Sequence, residues 1–432
     1  MRRRNFLRDA GLLISSTTLL PALARAGQSS AGHYSSWSGI RDLFPLDPSY
    51  IHMAQMLLAS HPKPVRDEIE RHRQAFDKHP VTYWEENWME MEPRMCAAAA
   101  AYIGADSEEI VLTDSTSMGL SLLYSGFKLK PGDEILTTIH DHFATEKSLE
   151  YASSRNGATI RRVSLYTEPS TASVDEITSI LEKAIQPATR IIALTWVHSC
   201  TGVKLPLKEI GQVISKANAQ RSPANRIYYC VDGVHGFGVD NINIRDFGCD
   251  FFAAGTHKWI FGPRGTGILY GKKDAWNMIT PVTPSFTGLP YGIWLGLVPG
   301  ETPVSFRDLC TPGGFHSFEH RWALNKAFEF HQQIGKDKVE ARTHALNTQL
   351  KEALRSNKHI KLHTPVSPTL SAGINCFEVD GIAPDEVVKK LFAKKIIASS
   401  SPYRVSYVRL TPCLVNNEEE VKTCIRALET MG

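Results

Sequence analysis

Residues Ala253–Tyr270 read AAGTHKWIFGPRGTGILY. Small and apolar residues lead into Lys258, a glycine-punctuated turn follows, and an apolar run closes the stretch. Lysine normally occupies solvated surface, so one set between two core-type strands asks for a partner. The preceding apolar strand, Ile227–Val231 (IYYCV), delivers a candidate by running directly into Asp232 and the sequence DGVHG. A carboxylate at the end of a buried strand must be paired or hydrogen-bonded to stay charged. The simplest reading is a structural ion pair between Asp232 and Lys258.

Outward from this stretch, short apolar segments alternate with helix-like ones. Strands are expected at Ile110–Leu112, Glu134–Ile139, Thr159–Val163, Arg190–Trp196, Ile227–Val231, Phe251–Ala254 and Gly267–Tyr270. Helices are expected at Val65–Lys78, Ser115–Ser125, Thr145–Arg155, Val174–Ala184 and Leu207–Asn218. Such alternation predicts an α/β fold with a largely parallel sheet covered on both faces, with function gathered at the carboxyl ends of the strands. Beyond about residue 300 the pattern changes to two long helices, Phe318–Gly335 and Lys338–Arg355, then further strands and helices. That shift predicts a smaller C-terminal α/β domain. The division expected is 1–26 signal, 27–65 N-terminal segment, 66–310 large domain and 311–432 small domain.

A second reading of Lys258 and Asp232 sets both on one pyridoxal 5′-phosphate (PLP). A lysine able to lose its proton forms a Schiff base with the cofactor aldehyde, and an acidic residue keeps the pyridine nitrogen protonated so that the ring takes up electrons. The order TDSTSMG, HDHFATEKS, TWVHSCTG, VDGVHG and GTHKW-x-x-GP-x-GTG resembles the class V aminotransferase group of fold-type I PLP enzymes. That group includes cysteine desulfurases and isopenicillin N epimerase-like proteins. The resemblance runs from about residue 50 to the C-terminus and implies a mainly parallel seven-stranded sheet in the large domain.

It further implies that Lys258 is the Schiff-base lysine, Asp232 the partner of the pyridine nitrogen, and His142 the residue stacked on the ring. On its residues alone, His142 is open to a place in a surface loop or in a metal set with His140 and Asp141. The phosphate is expected where Thr116 and Ser117 open a helix, since free N–H groups and the helix dipole hold anions there; an ordinary N-cap reads the same. His257 is a further phosphate donor. His235 matches the position beside the phenolic oxygen, although a buried histidine satisfied by backbone is also compatible. Ser199 stands where the family often has asparagine, near the same oxygen. Homodimerisation is implied too, with Thr311 or Ser317 of TPGGFHSFEHRW completing the neighbouring phosphate site.

In Tyr407-Val408-Arg409-Leu410, Arg409 matches the arginine that binds the substrate α-carboxylate, through the paired hydrogen bonds a guanidinium offers; a plain strand-surface arginine is the alternative. Arg404 is a weaker second candidate. Desulfurases need a nucleophilic cysteine on the loop before that arginine, and IIASSSPYRVSYVRL has none. The PGG…FEHRW element and Trp259 look closest to the isopenicillin N epimerase-like branch, in which an exported member modifies the side chain of pyoverdine siderophores. The expectation is therefore an enzyme acting on an amino acid, or on the amino-acid portion of a peptide-like metabolite such as a siderophore precursor. A periplasmic aminotransferase is the alternative, and a non-catalytic binding protein of the same fold a third reading.

The first 27 residues, MRRRNFLRDAGLLISSTTLLPALARAG, have a basic start, a short apolar run and a small-x-small cleavage site at Ala24-Arg25-Ala26. Arg3-Arg4-Asn5-Phe6-Leu7-Arg8 resembles the twin-arginine export signature, which implies passage of the folded protein to the periplasm. The apolar run is too short to span a bilayer stably. The formal net charge is +3, and the signal's five arginines against Asp9 supply more than that, so the remainder makes no electrostatic case for nucleic acid or membrane. The eight cysteines lack Cys-x-x-Cys spacing, so no zinc or other metal site is expected.

Overall fold

A computed structural model describes residues 33–431. The expected signal, residues 1–26, lies outside the described residues. The strands are β1 (Ile51–His52), β2 (Ile110–Thr113), β3 (Glu134–Thr138), β4 (Thr159–Val163), β5 (Thr189–Thr195), β6 (Tyr228–Asp232), β7 (Phe251–Gly255) and β8 (Gly267–Gly271). There follow β9 (Ile360–Leu362), β10 (Asn375–Val379), β11 (Ile396–Ile397), β12 (Ser399–Ser400) and β13 (Val408–Leu410).

A seven-stranded sheet runs β2-β8-β7-β6-β5-β3-β4. All its neighbours pair in parallel except β8, which is antiparallel to both β7 and β2. The predicted α/β architecture is therefore the one adopted. Alternate residues enter two separate cores, because side chains along a strand point to opposite faces. Tyr229 and Val231 of β6 join one core, with Phe252 and Ala254 of β7. Tyr228 and Cys230 join the other, with Phe251 and Ala253. This two-sided burial is why these strands read as continuous apolar runs.

The four-stranded antiparallel sheet β12-β13-β10-β9 packs on the helices Lys336–Ser356, Pro384–Ala393 and Glu418–Glu429 around a third core that includes Leu346, Leu350, Leu354 and Phe377. β1 pairs in parallel with β11, Ile51 opposite Ile396. Met53 continues the link, donating its N–H to Ile397 and accepting from the Thr411 N–H, both at 2.9 Å. Two of the differences from expectation concern long helices. The 24-residue helix Pro80–Ile103 was not anticipated, and the expected helix Phe318–Gly335 is divided into Phe318–Arg321 and Leu324–Ile334. The break lets Trp322 bury completely, its ring among Phe76, Phe318 and Tyr83.

β6 and β7 are parallel neighbours, so Asp232 at the end of one and Lys258 three residues beyond the other emerge at the same sheet edge. The chain leaves β6 through two glycines packed against rigid rings. A Cβ on Gly233 would lie 1.9 Å from Phe252 Cζ, and one on Gly236 2.1 Å from Trp196 Cε3. Gly236→Ala is expected to cost about 1–3 kcal/mol of stability by overpacking, seen as a lowered thermal unfolding midpoint with the far-ultraviolet circular dichroism spectrum retained.

Candidate active site

Lys258 lies in the turn between β7 and the antiparallel β8, partly buried. The turn is tied by Thr256 N–H to Thr266 O (3.1 Å) and by Gly262 N–H to Thr256 O (2.8 Å). The ion pair with Asp232 is not formed. Lys258 Nζ instead lies 3.2 Å from His235 Nε2, while Asp232 accepts long bonds from Val234 N–H (3.2 Å) and Thr145 Oγ1 (3.3 Å). Both groups are titration-shifted towards neutrality. Desolvation pushes the lysine down to about 8, against the pull of Asp232 and with help from Arg409. Burial raises Asp232 to about 6, opposed by the Val234 N–H and the Lys258 charge. His235 is held by side chains on both ring nitrogens, not by backbone, since Trp259 Nε1 donates to its Nδ1 at 3.3 Å.

His142 caps the helix Phe143–Asn156, its Nδ1 accepting the Ala144 N–H at 3.2 Å. That fixes the ring beside the site, where burial and then the charges of Lys258 and Arg409 lower its pKa. It forms no metal set with its neighbours. Asp141 is consumed by Thr137, Thr138 and the Thr195 N–H, and His140 stacks on Tyr166 at 4.1 Å. Among the described residues, the group with metal-ligand proximity is Asp240, Glu340 and His344. There Lys204 already neutralises Asp240 at 2.7 Å.

At the start of the helix Thr116–Gly126 the N-cap is Ser115, whose hydroxyl accepts from Met118 N–H. The expected start is thus one residue early. Thr116 and Ser117 occupy the first turn, whose N–H groups have no intrahelical acceptor. Thr116 is buried and its Oγ1 accepts the Gly255 N–H at 2.7 Å, whereas the Ser117 side chain is exposed. A Cβ on Gly255 would meet His257 Cε1 at 2.9 Å and Thr116 Oγ1 at 3.0 Å. Thr116 and His257 thus approach Gly255 so closely that no side chain larger than glycine's fits between them. Burial holds His257 neutral, down to about 4, with Lys258 and Arg264 adding to the effect.

Arg409 is buried in the middle of β13 and is no surface residue. Its guanidinium donates to Ser399 Oγ (3.2 Å), Ser199 O (3.2 Å) and Ser400 O (2.8 Å). All three acceptors are neutral, so the charge lacks a counter-ion among the described residues. Ser199 also bonds the Tyr403 hydroxyl at 2.8 Å, and the Tyr403 ring meets His142 edge-on at 6.2 Å. Sequence reasoning passed over Tyr403; its signal is an aromatic residue after proline on the loop leading to Arg409. Arg404 beside it is exposed. Of the two residues expected to reach a neighbouring chain, Thr311 is buried and Ser317 exposed.

The donor set suits PLP: an amine without a counter-ion, a buried carboxylate held by only two long bonds, and a helix N-terminus at Thr116 set against Gly255 and His257. Residues 94–424 match the model of the family described as "Aminotransferase class-V". The chain belongs to that family. It is accordingly a PLP-dependent enzyme. It is 26% identical to a "Probable cysteine desulfurase" of Halalkalibacterium halodurans over 75% of this chain and 78% of the relative. It is 25% identical to isopenicillin N epimerase of Streptomyces clavuligerus over 77% of this chain and 82% of the relative. In fold it resembles a C-DES mutant with glycine covalently linked to its PLP cofactor, with TM-score 0.80 at 20% identity, covering 91% of this chain and 99% of that one. The apo cysteine desulfurase of Thermococcus onnurineus superposes with TM-score 0.76 at 22% identity, covering 91% and 97%.

In full-length protein freed of PLP, methylation of Lys258 by formaldehyde and cyanoborohydride is expected to rise with pH through a midpoint near 8. Asp232→Asn removes a negative charge that favours the ammonium form, so its midpoint falls below that of the unsubstituted protein. Peptide mass spectrometry across a pH series checks both.

Proposed function

We propose that this class-V enzyme is exported and acts on an amino acid, or on the amino-acid portion of a peptide-like metabolite such as a siderophore precursor. Its chemistry is lyase, epimerase or side-chain-modifying. The observation that carries this reading is Arg409, a buried guanidinium with three neutral acceptors and no counter-ion. A buried charge is costly until paired, and a substrate α-carboxylate supplies the missing partner in the geometry arginine prefers.

In this reading Lys258 Nζ holds the cofactor, Asp232 faces its pyridine nitrogen and His142 its ring face. Thr116, the free N–H groups of the first turn at Ser117, and His257 take the phosphate, while His235 and Ser199 lie towards the phenolic oxygen. PLP, when bound, supplies an electron sink for charge developing at the substrate α-carbon. Lys258, poised near neutrality, is the group that takes and returns a proton there. Tyr403, bonded to Ser199 and edge-on to His142, lies beside them.

Transfer of sulfur through a persulfide is disfavoured. The loop between β12 and β13 carries Tyr403 and no cysteine. Burial raises the Cys200 thiol to about 11 and the Cys376 thiol further, which suppresses the reactive thiolate. A homodimer fits the exposed Ser317 and the exposed apolar side chains Trp294 and Phe315.

Purified enzyme, mixed with amino-acid and siderophore-precursor panels, is expected to change its PLP absorbance with substrates bearing a free α-carboxylate and to yield products identifiable by mass. No response across either panel overturns the reading, and release of a 2-oxo product only when a keto acid is added identifies an aminotransferase instead. Arg409→Gln is expected to raise KM about 100-fold for carboxylate-bearing substrates, the loss of a buried charge pair costing about 2–5 kcal/mol. Export is checked by R3K/R4K: cell fractionation should find that variant in the cytoplasm and the unsubstituted protein in the periplasm.

A further inference from the structure

Trp259 follows the lysine and is buried. Its ring lies against the segment leading into β10, where a Cβ on Gly373 would come within 2.4 Å of Trp259 Cη2. Its main chain is equally confined, since a Cβ on Gly238 would lie 2.7 Å from the Trp259 carbonyl carbon. The indole therefore has a defined position, and its N–H meets His235 Nδ1 at 3.3 Å. An indole nitrogen donates and cannot accept. Nδ1 must then be bare, and a neutral imidazole carries its single proton on Nε2, the atom 3.2 Å from Lys258 Nζ.

The opposite tautomer would set an Nδ1–H against the indole N–H, two donors facing each other. It would also turn Nε2 into an acceptor, which holds Lys258 as ammonium. The doubly protonated ring is disfavoured first by burial and then by the Lys258 and Arg409 charges, with any protonation of the neighbouring His142 and His257 adding to the effect. Asp232 from β6 is the opposing negative group near Lys258. The indole thus selects between two states of His235 that treat Lys258 oppositely.

We propose that Trp259 is a positioning residue: its N–H locks His235 in the Nε2–H tautomer, so that His235 donates to Lys258 Nζ and keeps it a free amine able to condense with an aldehyde. The role of that amine rests on the reading of Lys258 as the cofactor lysine; the tautomer itself does not.

The test uses the full chain freed of PLP, with Trp259→Phe keeping an aromatic ring and removing the donor. The midpoint for methylation of Lys258 by formaldehyde and cyanoborohydride should move up by about one pH unit, a tenfold loss of free amine at pH 7. A purely packing role would lower the unfolding midpoint and leave that titration in place. Nitrogen-15 spectra of the unsubstituted protein, with His235 assigned by difference against His235→Gln, should show a bare Nδ1 and a protonated Nε2. An unchanged titration in Trp259→Phe, or a protonated Nδ1 in the unsubstituted protein, overturns the proposal. If Trp259→Phe does not fold, the nitrogen-15 pattern decides alone. Failure of the cofactor reading has a different signature: protein purified with PLP and reduced by borohydride would carry no PLP on the Lys258 peptide, whatever the tautomer.

Discussion

The site is organised around an attraction that is left unsatisfied. Asp232 and Lys258 leave adjacent parallel strands at one sheet edge, opposite in charge, yet they do not meet. Had they closed into an ion pair, each would have met its electrostatic need and the crevice would be inert. Held apart, both drift towards neutrality, the carboxyl upward and the amine downward. A carboxyl and an amine in that state suit a cofactor that carries a basic nitrogen and an aldehyde.

The scaffold keeps them apart by committing the surroundings elsewhere. Asp141 accepts from the Thr137 and Thr138 hydroxyls at the end of β3 and from the Thr195 N–H at the end of β5, which leaves Thr145 and the turn after β6 to steady Asp232. Two glycines let that turn pass between Trp196 and Phe252 without displacing either ring. On the far side, Arg409 comes from a different sheet and donates to the Ser199 carbonyl, so the two sheets share a polar seam.

Much of this was legible in the sequence. Segments buried on both sides announce themselves as apolar runs, and β4 and the helices Val174–Ala184 and Leu207–Asn218 begin and end where the sequence places them. The helix Pro80–Ile103 escaped because Pro93 and its tryptophans obscure any single apolar stripe, and the alanine run near its end is uninformative about facing. Asp232, His235 and Lys258 were readable because turns of fixed length hold them. Which of Thr116 and Ser117 turns inward was not, since that depends on a cap one residue earlier. The contacts of Trp259 with His235 and of Tyr403 with Ser199 were beyond reach for a related reason: each depends on side-chain directions set by packing between distant segments.

The parallel pairing of β1 with β11 has a consequence for the order of assembly. Ile51 waits for Ile396, and Met53 for Thr411, so the earliest described strand has no partner until nearly the whole chain exists. Closing so long a loop is entropically slow, and the seven-stranded sheet, whose strands lie closer together in sequence, has time to form first. The β1–β11 contact then works as a latch fastened last. The latch fastens the C-terminal sheet to a segment that the large core also holds, since Phe44 ahead of β1 packs on Phe261 and Phe330.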